Sequence, residues 1–155
     1  MSVGALLDLY RRAHLRIATA ESCTGGLIAG RITDVAGSSD VLERGFVTYS
    51  NESKTELLGV PTALLDKHGA VSAQVARAMA EGALAHARAD VAVAVTGIAG
   101  PGGATPGKPV GLVYLALARR GTETAVERKH FPGDRAAVRE ATVLRALELL
   151  AAAVA

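Results

Sequence analysis

The stretch DVAVAVTGIAG, residues 90–100, decides the fold class of this chain of 155 residues. Between Val91 and Thr96 the side chains are small and almost all apolar, with no alternation of polar and apolar positions. Such a run is typical of a central β-strand that is covered on both faces. The glycines and prolines of the next stretch, GIAGPGGATPGKP at residues 97–109, are incompatible with regular structure. We therefore expect a buried strand followed by a long loop.

Helix-like and strand-like segments alternate before this strand. Four segments carry apolar residues at the spacing of one helix face, and two others have a strand-like composition. Ser72 is a good N-cap for the last of these helices, and Pro61 is expected to end the helix before it. In chain order the predicted elements are helix 3–10, strand 16–20, helix 24–35, strand 45–50, helix 51–60 and helix 72–87.

An antiparallel hairpin and a final helix are predicted after the central strand. Segments 110–118 and 122–131 flank the turn RRGT, and the charges of the second segment indicate an edge strand. Gly133 and Asp134 open a helix that continues to the end of the sequence. The chain is thus predicted to be one α/β domain, residues 1–155, built as a three-layer α/β/α sandwich. We expect its sheet to be mixed and mostly parallel, with a late antiparallel hairpin.

The rim of this sheet is the expected place for a ligand. In open α/β sheets, ligands gather beyond the carboxyl ends of the strands. Three segments follow predicted strands, and we expect them at one rim. They are residues 21–26, 50–54 and 96–109.

Composition excludes several classes of function. Apolar residues make up 50% of the chain, aromatic residues 3%, Trp is absent, and the net charge is +2. Because basic and acidic residues are interspersed, we expect neither a nucleic-acid partner nor a membrane partner. The single cysteine, Cys23, fits a reducing compartment, and no signal peptide or spanning segment is seen, so a cytoplasmic location is expected. No two histidines have the spacing of metal ligands, so no metal is expected.

The stretch ESCTGG, residues 21–26, follows a predicted strand and opens a predicted helix. The backbone N–H groups of Thr24, Gly25 and Gly26 are then expected to point outward, unpaired, at the positive end of the helix dipole. Such groups suit a phosphate, a carboxylate or the oxyanion of acyl transfer. The alternative is structural: Ser22 or Thr24 is an N-cap, and the glycines relieve crowding.

Ser22 needs a base to act as a nucleophile, and no histidine is placed to serve it. Lys54 is the alternative base, because it lies just beyond a predicted strand and burial can lower the pKa of a lysine. Tyr49, at the end of that strand, is expected beside Lys54. The other interpretation of Lys54 is a solvated side chain in the polar stretch ESKTE.

The loop after the central strand offers contacts but no nucleotide-binding motif. GGATPGKP, residues 102–109, has the spacing of a P-loop, but Pro109 replaces the Ser or Thr that binds Mg²⁺, and an apolar strand follows where a helix is required. Thr96 and Gly97, directly after the buried strand, remain candidate substrate contacts. Arg135, at the start of the last helix, is either a bidentate donor to a phosphate or carboxylate or an exposed surface arginine.

Several stretches that occur here in one order are together far more specific than any one of them. They are residues 19–60, which contain ESCTGG and VTYSNESK, then HGAVS, AVTGIAGPGG, KPVGLVY and GDR. The whole resembles the CinA C-terminal domain family, from about residue 15 to the final helix. Stand-alone members of that family, which lack the pyrophosphatase-like domain of CinA, are nicotinamide mononucleotide deamidases, and the length of this chain resembles theirs.

The resemblance implies an amidohydrolase that converts nicotinamide mononucleotide to nicotinate mononucleotide and ammonia without a cofactor or metal. It also implies a serine nucleophile, a lysine base and an assisting tyrosine, which match Ser22, Lys54 and Tyr49. Positions that line the family's site match Gly37, Thr96 and Arg135.

Alternatives remain open beside this interpretation. Cys23 is a rival nucleophile at the same helix start, although adjacent residues near a strand end tend to point to opposite sides. Glu21 either orients Lys54 or complements the helix dipole. A regulatory module that binds a nucleotide without turnover would use the same Gly-rich turns and would not need a lysine of lowered pKa. The edge strand and the alanine-rich last helix suggest a homo-oligomer, with a dimer as its simplest form.

Overall fold

Five β-strands form one mixed sheet in the computed structural model, which describes residues Met1–Ala155. The strands are β1 (Ile17–Glu21), β2 (Leu42–Val47), β3 (Val91–Gly97), β4 (Leu112–Arg119) and β5 (Ala125–His130). Their order across the sheet is β2-β1-β3-β4-β5. Strand β1 is parallel to β2 and β3, whereas β4 is antiparallel to β3 and β5, so only β4 runs against the other strands. The predicted mixed sheet and its late hairpin are confirmed.

Six α-helices cover the two faces of this sheet. One layer holds α1 (Val3–Ala13), α2 (Leu27–Thr33) and α6 (Arg135–Ala152), and the other holds α3 (Asn51–Leu58), α4 (Thr62–His68) and α5 (Ala73–Ala85). The three-layer α/β/α prediction is therefore confirmed. None of the helices is long and apolar enough to cross a lipid bilayer.

The central strand β3 is buried on both faces, as its composition predicts. All side chains from Val91 to Thr96 are buried. Its valines pack in the core beneath α1, α2 and α6, and its alanines pack beneath α5. Because successive strand residues point to opposite faces, the larger valines of β3 face one helix layer and the smaller alanines face the other.

Helix α5 approaches the sheet closely because the fully buried strand residues beneath it are all alanines. Those in the core cluster are Ala18, Ala20, Ala92, Ala94, Ala116 and Ala118. The same helix meets α3 at Gly82, where a Cβ atom would collide with the carbonyl oxygen of Leu58. Gly82 thus permits the close contact of α5 with the C-terminal end of α3.

The predicted boundaries around β2 are wrong in two places. The strand is Leu42–Val47, three residues earlier than the predicted 45–50. Ser50 is the N-cap of α3, and its hydroxyl accepts a hydrogen bond from the Ser53 N–H at 3.1 Å. Residues 50–54 are therefore the capped start of the helix predicted from residue 51, because a serine at this position satisfies a free N–H of the first turn.

Helix ends nearby also differ from the prediction. Helix α3 ends before Gly59, which adopts the left-handed conformation at φ 69°, so Pro61 does not end it. A short helix, α4, which the sequence pattern does not predict, follows directly after Pro61. Helix α2 begins only at Leu27, because Gly26 has a φ of 107° that no helical residue adopts.

Candidate active site

A cavity of about 300 Å³ lies at the carboxyl ends of β1 and β3. The sheet order brings these two strands side by side, so the residues that follow them meet at one rim. Six of the predicted site residues line this cavity, and they come from four separate segments of the chain. They are Ser22, Tyr49, Lys54, Thr96, Gly97 and Arg135.

Ser22 and Lys54 form a direct hydrogen bond at the base of this cavity. The distance from Lys54 Nζ to Ser22 Oγ is 3.0 Å, and only 9% of Ser22 and 1% of Lys54 are exposed. The first residue after β1 supplies the serine, and the first turns of α3 supply the lysine. The Thr48 N–H donates to the Glu21 carbonyl oxygen at 2.9 Å, which holds the segment before α3 against the end of β1.

The remaining partners of Lys54 are neutral. Its Nζ lies 2.7 Å from the carbonyl oxygen of Thr48 and 3.4 Å from that of Tyr49, and no carboxylate pairs with it. Burial lowers the pKa of Lys54 below its ordinary value of 10.5, and the nearby Cys23 opposes this shift more weakly. A desolvated amine without a counter-charge favours the neutral form.

The contacts around Lys54 Nζ suit a neutral amine as well as an ammonium, which would donate to all three oxygens. The neutral amine has two N–H donors and one lone pair. The carbonyl oxygens of Thr48 and Tyr49 can accept the two N–H bonds, which leaves the lone pair for the hydroxyl proton of Ser22. This arrangement can remove the proton from Ser22 as a bond forms at its oxygen.

The neighbouring thiol has a different environment. Cys23 packs in the apolar core on the α1, α2 and α6 side of the sheet, and 6% of it is exposed. Burial raises the pKa of its thiol to about 11, so the thiolate is scarce at neutral pH. Cys23 also lines the cavity, but the direct contact of Lys54 with Ser22 and the scarcity of the thiolate favour Ser22 over Cys23 as the nucleophile.

Glu21 closes the N-terminus of α2 from inside the protein. Its buried carboxylate accepts hydrogen bonds from the Thr24 hydroxyl at 2.6 Å and from the backbone N–H groups of Ile28 and Ala29 at 2.9 and 3.1 Å. Of the two roles considered for Glu21, the geometry supports the complement to the helix dipole, since no hydrogen bond joins it to Lys54.

This carboxylate changes the expected anion site at residues 24–26. The first turn of α2 is already occupied by Glu21, and the Gly25 N–H donates to the Ser22 carbonyl oxygen at 3.1 Å. Neither Ser22 nor Thr24 is the N-cap, because Gly26 holds that position without a side-chain hydrogen bond. Thr24, Gly25 and Gly26 are not among the residues that line the cavity, so any role they have in substrate contact is confined to backbone groups of the turn.

Gly37 lies outside the cavity. It precedes the short 3-10 helix Ser38–Asp40, and its carbonyl oxygen accepts a hydrogen bond from Arg11 at 2.8 Å. The chain then enters β2 at Leu42, which pairs with Ile17 at the beginning of β1. Gly37 is therefore at the opposite end of the sheet from Ser22 and does not line this cavity. Its φ of 83° explains the glycine instead.

Tyr49 and Arg135 bridge the mouth of the cavity. The Arg135 Nη2 donates to the Tyr49 hydroxyl at 3.0 Å, and its Nη1 donates to the Gly100 carbonyl oxygen at 2.8 Å. Tyr49 is 62% exposed, and it is the backbone carbonyl of this residue, not the phenol, that contacts Lys54. Arg135 has no carboxylate partner, so its positive charge at the mouth is not neutralised by the protein.

Thr96 and Gly97 shape the cavity wall. The buried Thr96 hydroxyl donates to the Ala70 carbonyl oxygen at 2.9 Å and so fixes the segment before α5. A Cβ atom at Gly97 would lie 2.7 Å from a Val113 methyl group and 2.8 Å from the Leu112 carbonyl oxygen. Only glycine fits where β3 leaves the sheet beside β4.

Two nearby polar residues are absent from the sequence-based prediction. Asn51 lines the cavity, and Arg139 donates to the carbonyl oxygens of Cys23 and Thr24, both at 3.2 Å. Each has a simple signal in the sequence: Asn51 lies one helical turn before Lys54, and Arg139 lies one turn after Arg135. Residues three or four apart on a helix share a face.

Comparison with known proteins settles the family of this chain. The family model described as "CinA C-terminal domain" matches residues 3–154. This chain belongs to the CinA C-terminal domain family. A CinA-like protein of Akkermansia muciniphila is 62% identical over 149 residues, which cover 93% of this chain and 36% of that protein. A CinA-like protein of Geobacter sulfurreducens is 59% identical, over 94% of this chain and 35% of that protein. The chain thus spans about a third of the length of these curated relatives.

Solved CinA structures share the whole fold. The competence/damage inducible protein CihA from Agrobacterium tumefaciens superposes with a TM-score of 0.94 at 50% identity, covering 97% of this chain and 92% of that chain. A CinA superfamily protein from Escherichia coli gives a TM-score of 0.92 at 37% identity, covering 97% and 87%. The α/β/α sandwich with its mixed sheet is therefore the CinA fold.

Proposed function

We propose that this CinA-family chain is an amidohydrolase that hydrolyses the carboxamide of nicotinamide mononucleotide to nicotinate mononucleotide and ammonia. The observation that carries the proposal is the 3.0 Å contact between Ser22 Oγ and a buried Lys54 Nζ without a counter-charge. A module that only binds nucleotides has no use for a desolvated amine on a serine hydroxyl. A serine hydrolase requires such a base.

The chemistry begins with the serine. Ser22 Oγ attacks the carboxamide carbon while Lys54, neutral at that moment, accepts the hydroxyl proton. The carbonyl π electrons move onto oxygen, and the resulting oxyanion lies near the backbone N–H groups of the 22–26 turn. Collapse of this tetrahedral intermediate breaks the C–N bond, and Lys54 or Tyr49 gives a proton to the departing ammonia. Water then attacks the acyl-enzyme with Lys54 as base, and Ser22 Oγ takes its proton back.

The basic mouth of the cavity supports an anionic substrate. Arg135 has guanidinium N–H groups at the rim and no carboxylate partner. A guanidinium binds a phosphate through paired charge-assisted hydrogen bonds, so Arg135 is the proposed phosphate contact. The carboxamide then lies at Ser22, deeper in the cavity, and Thr96 and Gly97 form the adjoining wall.

The decisive experiment incubates the purified chain with nicotinamide mononucleotide and measures ammonia and nicotinate mononucleotide. We expect turnover, no loss of turnover on addition of a metal chelator, and no turnover by Ser22→Ala. Cys23→Ser serves as the matched control and should retain most of the activity. Binding of the nucleotide without ammonia release would instead favour the regulatory module, and activity that depends on Cys23 would transfer the nucleophile to the thiol.

A further inference from the structure

In the turn that follows β1, the carbonyl oxygens of Ser22, Cys23 and Thr24 all accept hydrogen bonds from the protein. The Ser22 carbonyl oxygen accepts the Gly25 N–H, and the Thr24 carbonyl oxygen accepts the Leu27 N–H, both at 3.1 Å. Arg139 adds its Nε to the Cys23 carbonyl oxygen and its Nη2 to the Thr24 carbonyl oxygen, both at 3.2 Å. The acceptor side of the turn is thus saturated by the protein.

The donor side of the same turn is not saturated. The backbone N–H groups of Cys23 and Thr24 donate to no other residue of the protein, although these residues are 6% and 0% exposed. Buried backbone N–H groups are nearly always paired. Two unpaired donors directly after the nucleophile are the arrangement expected where an oxyanion forms during the reaction.

Arg139 connects these two observations. The Cys23 carbonyl and the Thr24 N–H belong to one planar peptide group, so fixing the carbonyl fixes the direction of the N–H. A cationic donor on the carbonyl also polarises the peptide and strengthens its N–H as a donor. Arg139 has no carboxylate partner, so its charge acts on the turn undiminished by a salt bridge.

We propose that Arg139 is a positioning residue of the hydrolase. It holds the Cys23–Thr24 peptide so that the Thr24 N–H, next to the Cys23 N–H, can stabilise the oxyanion formed on attack by Ser22. The inference rests on the proposed amide hydrolysis. Glu21 supports the same turn from the opposite side, through the Thr24 hydroxyl and the first turn of α2.

A second cavity defines the competing explanation. It measures about 700 Å³, adjoins the catalytic cavity, and is lined by both Arg135 and Arg139. If Arg139 bound the substrate phosphate in that cavity, its loss would weaken binding of phosphorylated substrates alone. A positioning role affects the chemical step, whatever substituent the ribose carries.

The test compares Arg139→Gln and Arg139→Lys with the wild type on nicotinamide mononucleotide and on nicotinamide riboside, which has the same carboxamide and no phosphate. The matched control is Arg145→Gln. Arg145 lies on the same helix as Arg139 and makes surface contacts with Glu127 and Glu148. We expect kcat of Arg139→Gln to fall about tenfold or more on both substrates, less than the roughly 10²–10³ lost with a direct oxyanion donor. KM should change little, and Arg139→Lys should recover part of the rate.

A second readout does not depend on the amide substrate. A fluorophosphonate that reacts with serine places a developing oxyanion at the same donors, so Arg139→Gln should be labelled at Ser22 more slowly than the wild type and Arg145→Gln at the same rate. Labelling at the wild-type rate, or a rise in KM confined to the phosphorylated substrate, would overturn the inference. A wild type that is labelled but releases no ammonia would defeat the proposed function and leave the labelling rates to decide the role of Arg139.

Discussion

At the scale of single residues, the side chain that sets the chemistry is Lys54. A lysine that is 1% exposed would normally require a carboxylate partner. Here its neighbours are two carbonyl oxygens and the hydroxyl of Ser22. Burial therefore acts on the protonated form with no carboxylate to compensate, and it outweighs the opposing effect of Cys23 and lowers the pKa of Lys54.

The dependence of the rate on pH follows from this shift. Because the base must be neutral, kcat/KM should rise with pH and level off above the pKa of Lys54, which lies below 10.5. Lys54→Arg should lower kcat/KM by about 10²–10⁴-fold, the usual worth of a general base, because arginine stays protonated. The measurement is the initial rate of ammonia release in buffers from about pH 6 to about pH 10.

The matched control for that substitution is Lys67→Arg, an exposed lysine of α4. It should keep both the rate and the pH profile of the wild type. A Lys54→Arg enzyme with wild-type rate would remove Lys54 from the role of base.

At the scale of elements, two helices hold the catalytic pair in register. Helix α2 begins immediately after the Ser22 turn and is capped by Glu21, and helix α3 carries Lys54 and packs against Gly82 of α5. Glu21 thus fixes α2 and Gly82 fixes α3, and the contribution of each to the stability of the fold can be measured by unfolding.

Glu21→Gln should destabilise the fold. The carboxylate accepts three hydrogen bonds, whereas a glutamine side chain has one acceptor oxygen and turns an N–H₂ group toward a backbone donor. Loss of hydrogen bonds to a buried charged group costs about 1.5–3 kcal/mol. The free energy of unfolding in urea measures this. Glu140→Gln, which removes an exposed ion pair with Arg31, should cost below about 1 kcal/mol, and an equal cost for the two variants would contradict the capping role.

Gly82→Ala and Gly30→Ala form a second matched pair, both inside helices. A Cβ at Gly82 collides with the Leu58 carbonyl oxygen, so α3 must move. We expect a loss of about 1–3 kcal/mol, typical of overpacking, together with reduced activity because α3 carries Lys54. At Gly30 nothing lies within 4 Å of the added carbon, and alanine should stabilise α2 by about 0.5–1 kcal/mol. Thermal unfolding and ammonia release of both variants provide the comparison; a tolerated Gly82→Ala would show that α3 does not need this close contact.

At the scale of the whole molecule, the cavity collects residues from both ends of the sequence. Ser22 follows β1, Lys54 lies in α3, Thr96 ends β3 and Arg135 begins α6. The first two of the three arginines of α6 differ in what they contact: Arg135 reaches the mouth of the cavity, and Arg139 reaches the turn behind the nucleophile. One helix thus presents both a substrate contact and a support for the reacting group.

The two arginines should therefore differ in their kinetic signatures. Arg135→Gln should raise KM for nicotinamide mononucleotide by about 10–100-fold, because a charge-assisted pair of hydrogen bonds to phosphate is worth about 1.5–3 kcal/mol. KM for nicotinamide riboside should change little. Steady-state kinetics on the two substrates decide the outcome, with Arg12→Gln, an exposed arginine of α1, as the control. An equal rise in KM for both substrates would place the phosphate elsewhere.

The sequence predicts the layers and the central strand well because their signals are local. The run of small apolar residues in β3 and the caps at Ser72 and Asp134 depend on neighbours in the chain. The sequence alone leaves two roles open for Glu21, because the backbone N–H groups that donate to its carboxylate follow it by seven and eight positions. No local pattern shows that the turn at Gly37 lies at the opposite end of the sheet from Ser22.

The same limits apply to the cavity. That Ser22 meets Lys54 depends on the parallel pairing of β1 with β2, which no spacing in the chain encodes. Arg139 was missed because its acceptors, Cys23 and Thr24, precede it by 116 and 115 positions. Contacts of this length are set by the packing of α6 onto the sheet, which only the folded structure provides.

The contact of Arg139 with the nucleophile turn has a consequence for the order of assembly. Joining positions 116 residues apart requires that nearly the entire chain has been synthesised and has collapsed. Contacts of such sequence separation form slowly, because the loop-closure entropy is lost before they contribute stability. A partly folded or nascent chain can therefore contain the β1–β2–β3 sheet and still present Ser22 on an unsupported turn. In refolding, helical signal should return first and a reactive serine last, so that chemical competence reports the docking of the final helix.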